Sequence, residues 1–293
     1  MGSRFVILLL SAAALCGCPQ FSPNVQITRE LVYGAGYVRD NPFFGDYRLR
    51  DLVMDVLEPT DGPASGRPAV VLLHGGSFTE GTREDEDLVA YADTLAAAGY
   101  VCFLIDYRLA GDNPPAPPDW DNFLLLENAI HAAFVDTKTA IRHVRAESGT
   151  YGIDPNRIAV MGESAGGFAS VAAGVTEDTA FARDRDELPM PVENNPNVSA
   201  RPQATLVLWG NAGRVLDDFS PDDPPMLIAH GEEDRQFGTP FSGAEAMRDA
   251  CIARGIAHAF YPLPEEDHGA WEALVDRKTL ATLSLDFLAE YLP

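Results

Sequence analysis

Five short apolar runs constrain the fold of this chain more than any other feature of its sequence. They are residues 69–73, 101–105, 158–161, 206–209 and 226–229. A strand that is exposed on one face alternates apolar and polar side chains, whereas an uninterrupted apolar strand of this length is buried on both faces. We therefore expect these runs to form the interior of a sheet that is covered on both sides.

Segments with helical spacing of apolar residues separate these runs. These segments are residues 88–95, 140–144, 244–251 and 280–291. A glycine follows each of the first three, as is typical of a helix end. Residues 52–57 alternate as an early strand, and residues 259–261 are predicted to form the last one. This order predicts an α/β fold with a mainly parallel sheet, helices on both faces, and ligands bound at the carboxyl ends of the strands.

The composition favours one large globular domain, which we assign to residues 29–293. Of the 293 residues, 46% are hydrophobic and 22% are charged, which is ordinary for a chain that buries a sizeable core. The 44 acidic residues outnumber the 21 basic ones, and the formal net charge is −23. Such a charge repels the phosphates of nucleic acids and anionic lipid headgroups. The sequence therefore argues against a nucleic-acid partner.

The N-terminus has the pattern of an export signal. Arg4 precedes an apolar run at residues 5–15, which is too short to span a hydrocarbon core of about 30 Å but fits the apolar region of a signal peptide. The letters Leu-Cys-Gly-Cys that end at Cys18 resemble a bacterial lipobox. This resemblance makes residues 1–17 a lipoprotein signal peptide, Cys18 the lipid-bearing residue, and residues 18–28 a tether. The protein is then exported and anchored to the cell envelope only through that lipid; a secreted or periplasmic form is the alternative.

Two cysteines remain inside the predicted domain after such processing, because Cys16 falls within the signal peptide. Cys102 and Cys251 each lie in an apolar stretch. Buried free thiols are therefore expected rather than a disulfide framework.

Two stretches interrupt the alternation of strands and helices. Residues 111–122 contain four prolines, and residues 176–202 combine charges, prolines and paired asparagines. Both are predicted to be insertions. They either cap or rim a ligand pocket or form passive surface loops, and the sequence leaves both readings open.

A Gly-x-Ser-x-Gly sequence directly follows the predicted strand at residues 158–161. Such an elbow holds a strained serine between residues without bulky side chains, and Gly162 and Gly166 supply that room. The N–H of Ala165 begins the next helix, where the helix dipole favours negative charge, so we predict that it donates to an oxyanion. Ser164 is therefore the candidate nucleophile; a simple strand-to-helix cap is the alternative.

A second glycine-rich loop follows the strand at residues 69–73. It reads His74-Gly-Gly-Ser-Phe, and its glycines allow the backbone to approach a substrate oxygen and to present N–H groups. We expect His74 to support this loop rather than to carry protons.

These two motifs together resemble the esterases of the α/β-hydrolase family. His-Gly-Gly upstream of a Gly-Glu-Ser-Ala-Gly-Gly elbow is similar to the hormone-sensitive-lipase-like and feruloyl-esterase-like branches, and the resemblance covers most of the chain after residue 18. It implies an α/β-hydrolase fold and assigns the oxyanion hole to Gly76, Ser77 and Ala165. Ser77 stands where the family has a third glycine. It can serve if its backbone angles are ones that non-glycine residues tolerate.

A nucleophilic serine needs a histidine base and a carboxylate that orients it, in the chain order Ser, Asp, His. In the family the acid stands four positions after a histidine that ends a strand, which here is His230. This implies Asp234, with Glu232 and Glu233 as nearby competitors. His230 itself is expected to be a packed strand-end residue.

The base is predicted to be His268. It lies in a loop after the strand at residues 259–261, whereas His131 and His143 lie in helical stretches and His258 precedes or begins that strand. The acidic run before His268 either favours its imidazolium form or is simply a solvated charge run.

The sequence thus predicts a serine hydrolase that cleaves carboxylic esters of short-chain or small aromatic acids. The same three residues also cleave amides, so an amidase or peptidase is one alternative, and a non-catalytic binding protein on a hydrolase scaffold is another. No metal or organic cofactor is implied, since metal-ligand spacing and a phosphate-binding loop are not found in the sequence.

Overall fold

The computed structural model describes residues 21–117, 125–185 and 187–293. The predicted signal peptide and Cys18 lie outside these residues, as do residues 118–122 of the first predicted insertion. The elements in chain order are β1 (Val25–Val38), β2 (Arg48–Pro59), β3 (Arg67–Leu73), α1 (Glu86–Ala97), β4 (Val101–Ile105), α2 (Leu125–Ala146), α3 (Ser148–Tyr151), β5 (Ile153–Glu163), α4 (Ala165–Val175), β6 (Ala204–Leu208), β7 (Met226–Gly231), α5 (Phe241–Arg254), β8 (His258–Leu263), β9 (Leu274–Val275), β10 (Lys278–Thr279) and α6 (Leu280–Tyr291). Short 3₁₀ turns lie at Ala110–Asp112, Val192–Asn194 and Gly213–Asp218.

Eight of the strands form one sheet in the order β1-β2-β4-β3-β5-β6-β7-β8. The six strands from β4 to β8 in this order run parallel, and β1 and β2 add an antiparallel edge. The predicted mainly parallel α/β sheet of an α/β-hydrolase is therefore confirmed. Because its strands are parallel, the loops after β3, β5, β7 and β8 all leave from the same edge of the sheet.

The sheet is buried on both faces, which explains the uninterrupted apolar runs. In β3, Val71 and Leu73 pack into the core under α2, α4 and α5, whereas Val70 and Leu72 pack into the core under α1 and α6. Successive strand residues point to opposite faces, so each run supplies two cores at once.

The first strand begins earlier than the sequence predicts. β1 starts at Val25 and pairs with β2 from that residue onward, so residues 25–28 belong to the sheet and not to a tether. The sequence hides this strand because register shifts break its alternation between Thr28 and Leu31 and again between Val32 and Gly34. The domain therefore includes the last four residues of the predicted tether.

The insertion at residues 176–202 is attached to the flank of the sheet by buried polar contacts. Lys138 of α2 is buried, and its Nζ donates to the carbonyls of Glu177 and Ala180 at 2.5 and 2.8 Å. Burial lowers the pKa of Lys138 to about 7. Arg108, also buried, forms an ion pair with Asp184 of the insertion at 2.8 Å. These contacts hold the described part of the insertion against α2 and the loop after β4, so it is not a loosely attached surface loop.

Asn194 of this insertion closes the outer edge of β1. Its side chain accepts the backbone N–H of Ala35 at 2.8 Å and donates to the carbonyl of Ala35 at 2.8 Å. Both residues are buried. The amide thus replaces a neighbouring strand at one point of an edge that would otherwise present unpaired backbone groups.

We expect Asn194→Ala to lower the free energy of unfolding by about 2 to 4 kcal/mol, because it leaves a buried N–H and a buried carbonyl of Ala35 without partners. Equilibrium urea unfolding measures the change. Glu193→Ala is the matched control, since Glu193 is the exposed neighbour in the same 3₁₀ turn. Equal unfolding midpoints for the two variants would contradict the edge-closing role of Asn194.

Candidate active site

Ser164 occupies a sharp turn between β5 and α4. Its backbone angles are φ 51° and ψ −116°, a strained conformation for a residue with a side chain. Its N–H donates to the carbonyl of Leu208 in the adjacent strand at 2.9 Å. A Cβ added to Gly162 would lie 2.0 Å from the carbonyl oxygen of Gly166, so the turn closes only with a glycine at that position. The local sequence therefore produces the elbow that its motif predicts.

The three residues predicted as a triad lie within hydrogen-bond distance of one another. His268 Nε2 is 2.8 Å from Ser164 Oγ, and His268 Nδ1 is 2.8 Å from Asp234 Oδ2. The side chain of Asp234 is fully buried, whereas that of His268 is 19% exposed. The arrangement connects a buried carboxylate to a serine hydroxyl through an imidazole that solvent can reach.

The competing acids are turned away from this cluster. Glu232 and Glu233 are exposed, and the carboxylate of Glu233 pairs with Arg235 at 2.8 Å. Asp234 alone of the three is buried, and its Oδ1 accepts the backbone N–H of Gln236 at 2.8 Å. The position implied by the family pattern is therefore the one that contacts His268.

His230 has a more direct place in the site than the sequence suggests. It is buried at the end of β7, as predicted, but its Nε2 also lies 2.9 Å from Asp234 Oδ2, the oxygen that contacts His268. The interpretation as a packed strand-end residue is therefore incomplete. The His-x-x-x-Asp spacing from His230 to Asp234 is the signal that points to this contact.

The acidic run before His268 supports its loop through one backbone contact. Asp267 Oδ1 accepts the N–H of His268 at 2.8 Å and that of Arg235 at 3.2 Å. These two hydrogen bonds lower the pKa of Asp267. Asp267 thereby joins the loop after β8, which carries the base, to the loop after β7, which carries the acid.

The loop after β3 places two backbone amides at the same edge of the sheet. Gly76 has φ 103°, and a Cβ there would lie 2.1 Å from the carbonyl oxygen of Glu80. Ser77 has φ 54°, a positive value that a non-glycine residue adopts only at a cost. Among the described residues, no acceptor is found for the N–H groups of Gly76, Ser77 or Ala165. These three amides remain available to a ligand.

Glu163, within the elbow itself, connects Ser164 to this loop. Its Oε1 accepts the N–H of Gly75, and its Oε2 accepts the indole N–H of Trp209 at 3.0 Å. Burial raises the pKa of Glu163, and the two donors act in the opposite direction. Sequence analysis did not assign this residue a role, although it lies inside the elbow motif, between Gly162 and Ser164.

The remaining histidines take the supporting places that the sequence predicts. His74 is buried and stacks on Tyr107 with ring centroids 4.3 Å apart, and the Tyr107 hydroxyl donates to the carbonyl of His74 at 2.8 Å. Burial lowers the pKa of His74. His131 and His143 lie in α2, and His258 begins β8.

The two cysteines of the domain are buried free thiols, as expected. Burial raises the pKa of Cys102 well above its usual range and that of Cys251 to about 12, so both stay protonated. Within residues 21–117, 125–185 and 187–293, no group of three or more His, Cys, Asp or Glu is arranged to hold a metal ion. No helix in these ranges has both the length and the apolar character needed to cross a bilayer.

Residues 54–201, just over half of the chain, match the BD-FAE family. The chain belongs to this family. Curated relatives include Esterase LipC of Mycobacterium tuberculosis, 36% identical over 124 residues that cover 42% of this chain and 27% of LipC. Another is the quorum-quenching protein AidA of Acinetobacter baumannii, 32% identical over 145 residues that cover 50% of this chain and 43% of AidA. This BD-FAE chain thus spans less than half the length of these relatives.

Solved structures share the fold of this BD-FAE protein over nearly its whole length. An esterase from Thermogutta terrifontis with bound propionate has a TM-score of 0.65 at 22% identity and covers 92% of this chain and 94% of its own. A carbohydrate esterase from gut microbiota has a TM-score of 0.66 at 18% identity and covers 92% of this chain and 96% of its own. At these identities the likeness establishes the α/β-hydrolase fold.

We expect Glu163→Gln to lower kcat for ester hydrolysis by about tenfold or more, because the amide must turn an N–H₂ toward either Gly75 or Trp209, and both are donors. The displaced Gly75 then shifts the amides of Gly76 and Ser77, and each such donor is worth roughly 10² to 10³ in turnover. Steady-state kinetics with a p-nitrophenyl ester measure the effect.

The control is Trp209→Phe, which removes the indole donor and leaves the Gly75 contact of Glu163 in place. It should retain more activity than Glu163→Gln. A Glu163→Gln variant with wild-type kcat would disprove the link from Glu163 to the loop.

Proposed function

We propose that this protein hydrolyses carboxylic esters through a covalent acyl-enzyme on Ser164. The observation that carries the proposal is the pair of 2.8 Å contacts that join Ser164 Oγ to His268 Nε2 and His268 Nδ1 to Asp234 Oδ2. A serine hydroxyl is a poor nucleophile until a base accepts its proton, and this chain of contacts supplies that base together with a group that orients it. Membership of the BD-FAE family supports the same reading.

The first half of the reaction acylates the serine. Ser164 Oγ attacks the ester carbonyl carbon while His268 Nε2 takes the hydroxyl proton, and Asp234 stabilises the resulting imidazolium. The tetrahedral intermediate collapses, His268 returns the proton to the alcohol oxygen, and the C–O bond of the ester breaks. The second half repeats these steps with water as the nucleophile and releases the acid.

The negative charge that develops on the carbonyl oxygen is stabilised by hydrogen bonds from the amides of Gly76, Ser77 and Ala165. None of these three amides has an acceptor among the described residues. Ala165 also begins α4, so the partial positive charge of the helix N-terminus acts at the same place.

We propose short-chain or small aromatic acyl groups as the substrates. The structure of the Thermogutta terrifontis esterase has been solved with propionate and with butyrate bound, and the similarity covers 92% of the present chain. The family pattern with a His-Gly-Gly loop and a Gly-Glu-Ser-Ala-Gly-Gly elbow favours the same class of small esters.

We expect Ser164→Ala to reduce kcat for p-nitrophenyl acetate and p-nitrophenyl butyrate by a factor of about 10⁶, since removal of a triad nucleophile costs roughly that much. Release of p-nitrophenol measures the loss. A fluorophosphonate reagent should add its mass to the wild-type protein and not to the variant.

The exposed Ser199→Ala is the matched control and should keep both activity and labelling. Circular dichroism checks that Ser164→Ala remains folded. Unchanged hydrolysis by a folded Ser164→Ala variant would reject the assignment.

Anilides of the same acyl groups distinguish the alternative amidase, which would cleave them as fast as the esters.

We further propose that the protein is exported and lipidated at Cys18. The described chain begins near the amino edge of the sheet, which is the edge at which the parallel strands start. There Ser22 Oγ donates to Asp93 at 2.6 Å, and Asn24 donates to the carbonyl of Ala97 at 3.2 Å. The four residue steps from Cys18 to Ser22 span at most about 14 Å. An anchor at Cys18 therefore holds the amino edge toward the membrane and turns Ser164, at the opposite edge, away from it.

Intact-mass analysis of protein extracted from a bacterial membrane should find acyl chains on Cys18 and no residue before it. Two or more chains are expected, because each buried methylene contributes about 0.8 kcal/mol and one chain alone anchors weakly. Cys18→Ser should lose the lipid, whereas Cys16→Ser should keep it. An unmodified, freely released wild-type protein would defeat the proposal of an anchor.

A further inference from the structure

His230 and His268 share one oxygen of the candidate acid. Asp234 Oδ2 is 2.9 Å from His230 Nε2 and 2.8 Å from His268 Nδ1, so the carboxylate oxygen lies between two imidazoles. The base contacts Ser164 with its other nitrogen. His230 is fully buried, and its hydrogen-bond contacts among the described residues are with Asp234 and Thr239, so it is placed to act on the acid and not on a substrate.

The neighbours of His230 fix which of its nitrogens carries the proton. Its Nε2 lies 2.9 Å from the carbonyl oxygen of Thr239 as well as from Asp234 Oδ2. A carbonyl oxygen only accepts hydrogen bonds, so Nε2 must carry the hydrogen. Its Nδ1 is buried without a hydrogen-bond partner among the described residues. A proton there would be a buried donor without an acceptor, which favours the neutral ring.

The surroundings keep His230 neutral as pH falls. Burial lowers the pKa of His230 against the opposing effects of Thr239 and Asp234. The other charged group facing it is His268, which opposes a second positive charge when protonated. The ring of Phe241 covers another side, with a centroid distance of 6.0 Å. His230 is therefore a fixed neutral donor beside the candidate acid.

We infer that His230 is a positioning residue that donates its Nε2–H to Asp234, fixes the rotamer of the carboxylate and sets how much negative charge it offers to His268. This inference rests on the proposed esterase function and extends it to a fourth residue. The donor has two effects. It holds Oδ2 in line with His268, and it withdraws charge from the oxygen that stabilises the imidazolium.

Loss of the donor should therefore change both the rate and its pH dependence. Without it the carboxylate keeps the contacts of Gln236 and His268 but loses one of the two groups that fix Oδ2, so kcat falls. Because Oδ2 then carries more charge, the imidazolium form of His268 is stabilised and the acid limb of the kcat/KM profile moves to higher pH. Glu163 and Asp267 also interact with His268, and neither has a contact with His230 among the described residues, so their contributions stay constant.

A matched pair of variants isolates the donor. Gln and Met have the same unbranched length, and the Gln amide nitrogen falls close to the position of a histidine Nε2, whereas Met has no donor. We expect His230→Met to lower kcat about 10- to 100-fold with KM unchanged. This factor corresponds to the usual stabilisation by one hydrogen bond to a buried charge. Its acid limb should move to higher pH. His230→Gln should recover most of the rate and the wild-type limb.

The outcomes are distinguishable from a merely structural role. Equal losses in the Met and Gln variants, or a fall in kcat without movement of the acid limb, would overturn the inference. If wild-type protein hydrolyses no ester, the proposed function fails, and that result is recognised before any variant is made.

A measurement on the wild-type protein covers the case in which His230→Met does not fold. Nitrogen-correlated proton NMR of labelled histidines should find His230 in the neutral Nε2–H form throughout the pH range in which His268 gains its proton. A proton on Nδ1 of His230, or titration of His230 together with His268, would overturn the inference without reference to activity.

Discussion

The strained turn at Ser164 is the constraint on which the rest of the site depends. A non-glycine residue at φ 51° and ψ −116° costs on the order of 1 to 3 kcal/mol and persists only where its surroundings fix it. Here β5 enters the turn from the middle of the sheet, between β3 and β6, and α4 leaves it packed against the same strands. The hydroxyl is thus held at a fixed point, and each loop at the carboxyl edge has to meet it there.

The site contains two carboxylates, that of Asp234 buried and that of Glu163 half-buried, and both accept hydrogen bonds from neutral donors. Asp234 accepts from His268, His230 and the backbone of Gln236, and Glu163 accepts from the backbone of Gly75 and the indole of Trp209. An arginine partner would neutralise the negative charge, whereas N–H dipoles stabilise it and leave it able to act on its neighbours. Asp234 can then stabilise an imidazolium, and Glu163 can hold a loop.

The sequence predicts the parts of this molecule that local pattern determines. Runs buried on both faces identify β3 to β7, and the glycines of the elbow identify Ser164, because in each case the needed side chains lie next to one another in the chain. The start of β1 is not predictable in this way, since bulges interrupt its alternation and its edge is completed by Asn194 from a distant insertion. Sequence alone cannot place that amide beside Ala35.

The same limit applies within the site. Ser164, Asp234 and His268 follow from motif and chain order, and the structure brings them together. The contact of Glu163 depends on how distant parts of the chain approach in space, because Gly75 reaches it from the loop after another strand. The contact of His230 with Asp234 is local and agrees with their four-residue spacing, but its place beside His268 is fixed only when the loops after β7 and β8 meet.

Backbone strain is concentrated above the same edge of the sheet. Ser77, Phe78, Ser164 and Trp209 all have positive φ values, of 54°, 60°, 51° and 38°, and they follow the ends of β3, β5 and β6, three adjacent strands. None of them is a glycine, and the sequence signals only the strain at Ser164, through its Gly-x-Ser-x-Gly motif. Each carries a side chain or an amide into the site: Trp209 binds Glu163, and Phe78 packs on Phe168 of α4 with a centroid distance of 6.1 Å. A glycine would relieve the strain at Phe78 or Trp209 but would lose these side-chain contacts, which explains why Phe78 stands in a loop whose backbone otherwise favours glycine.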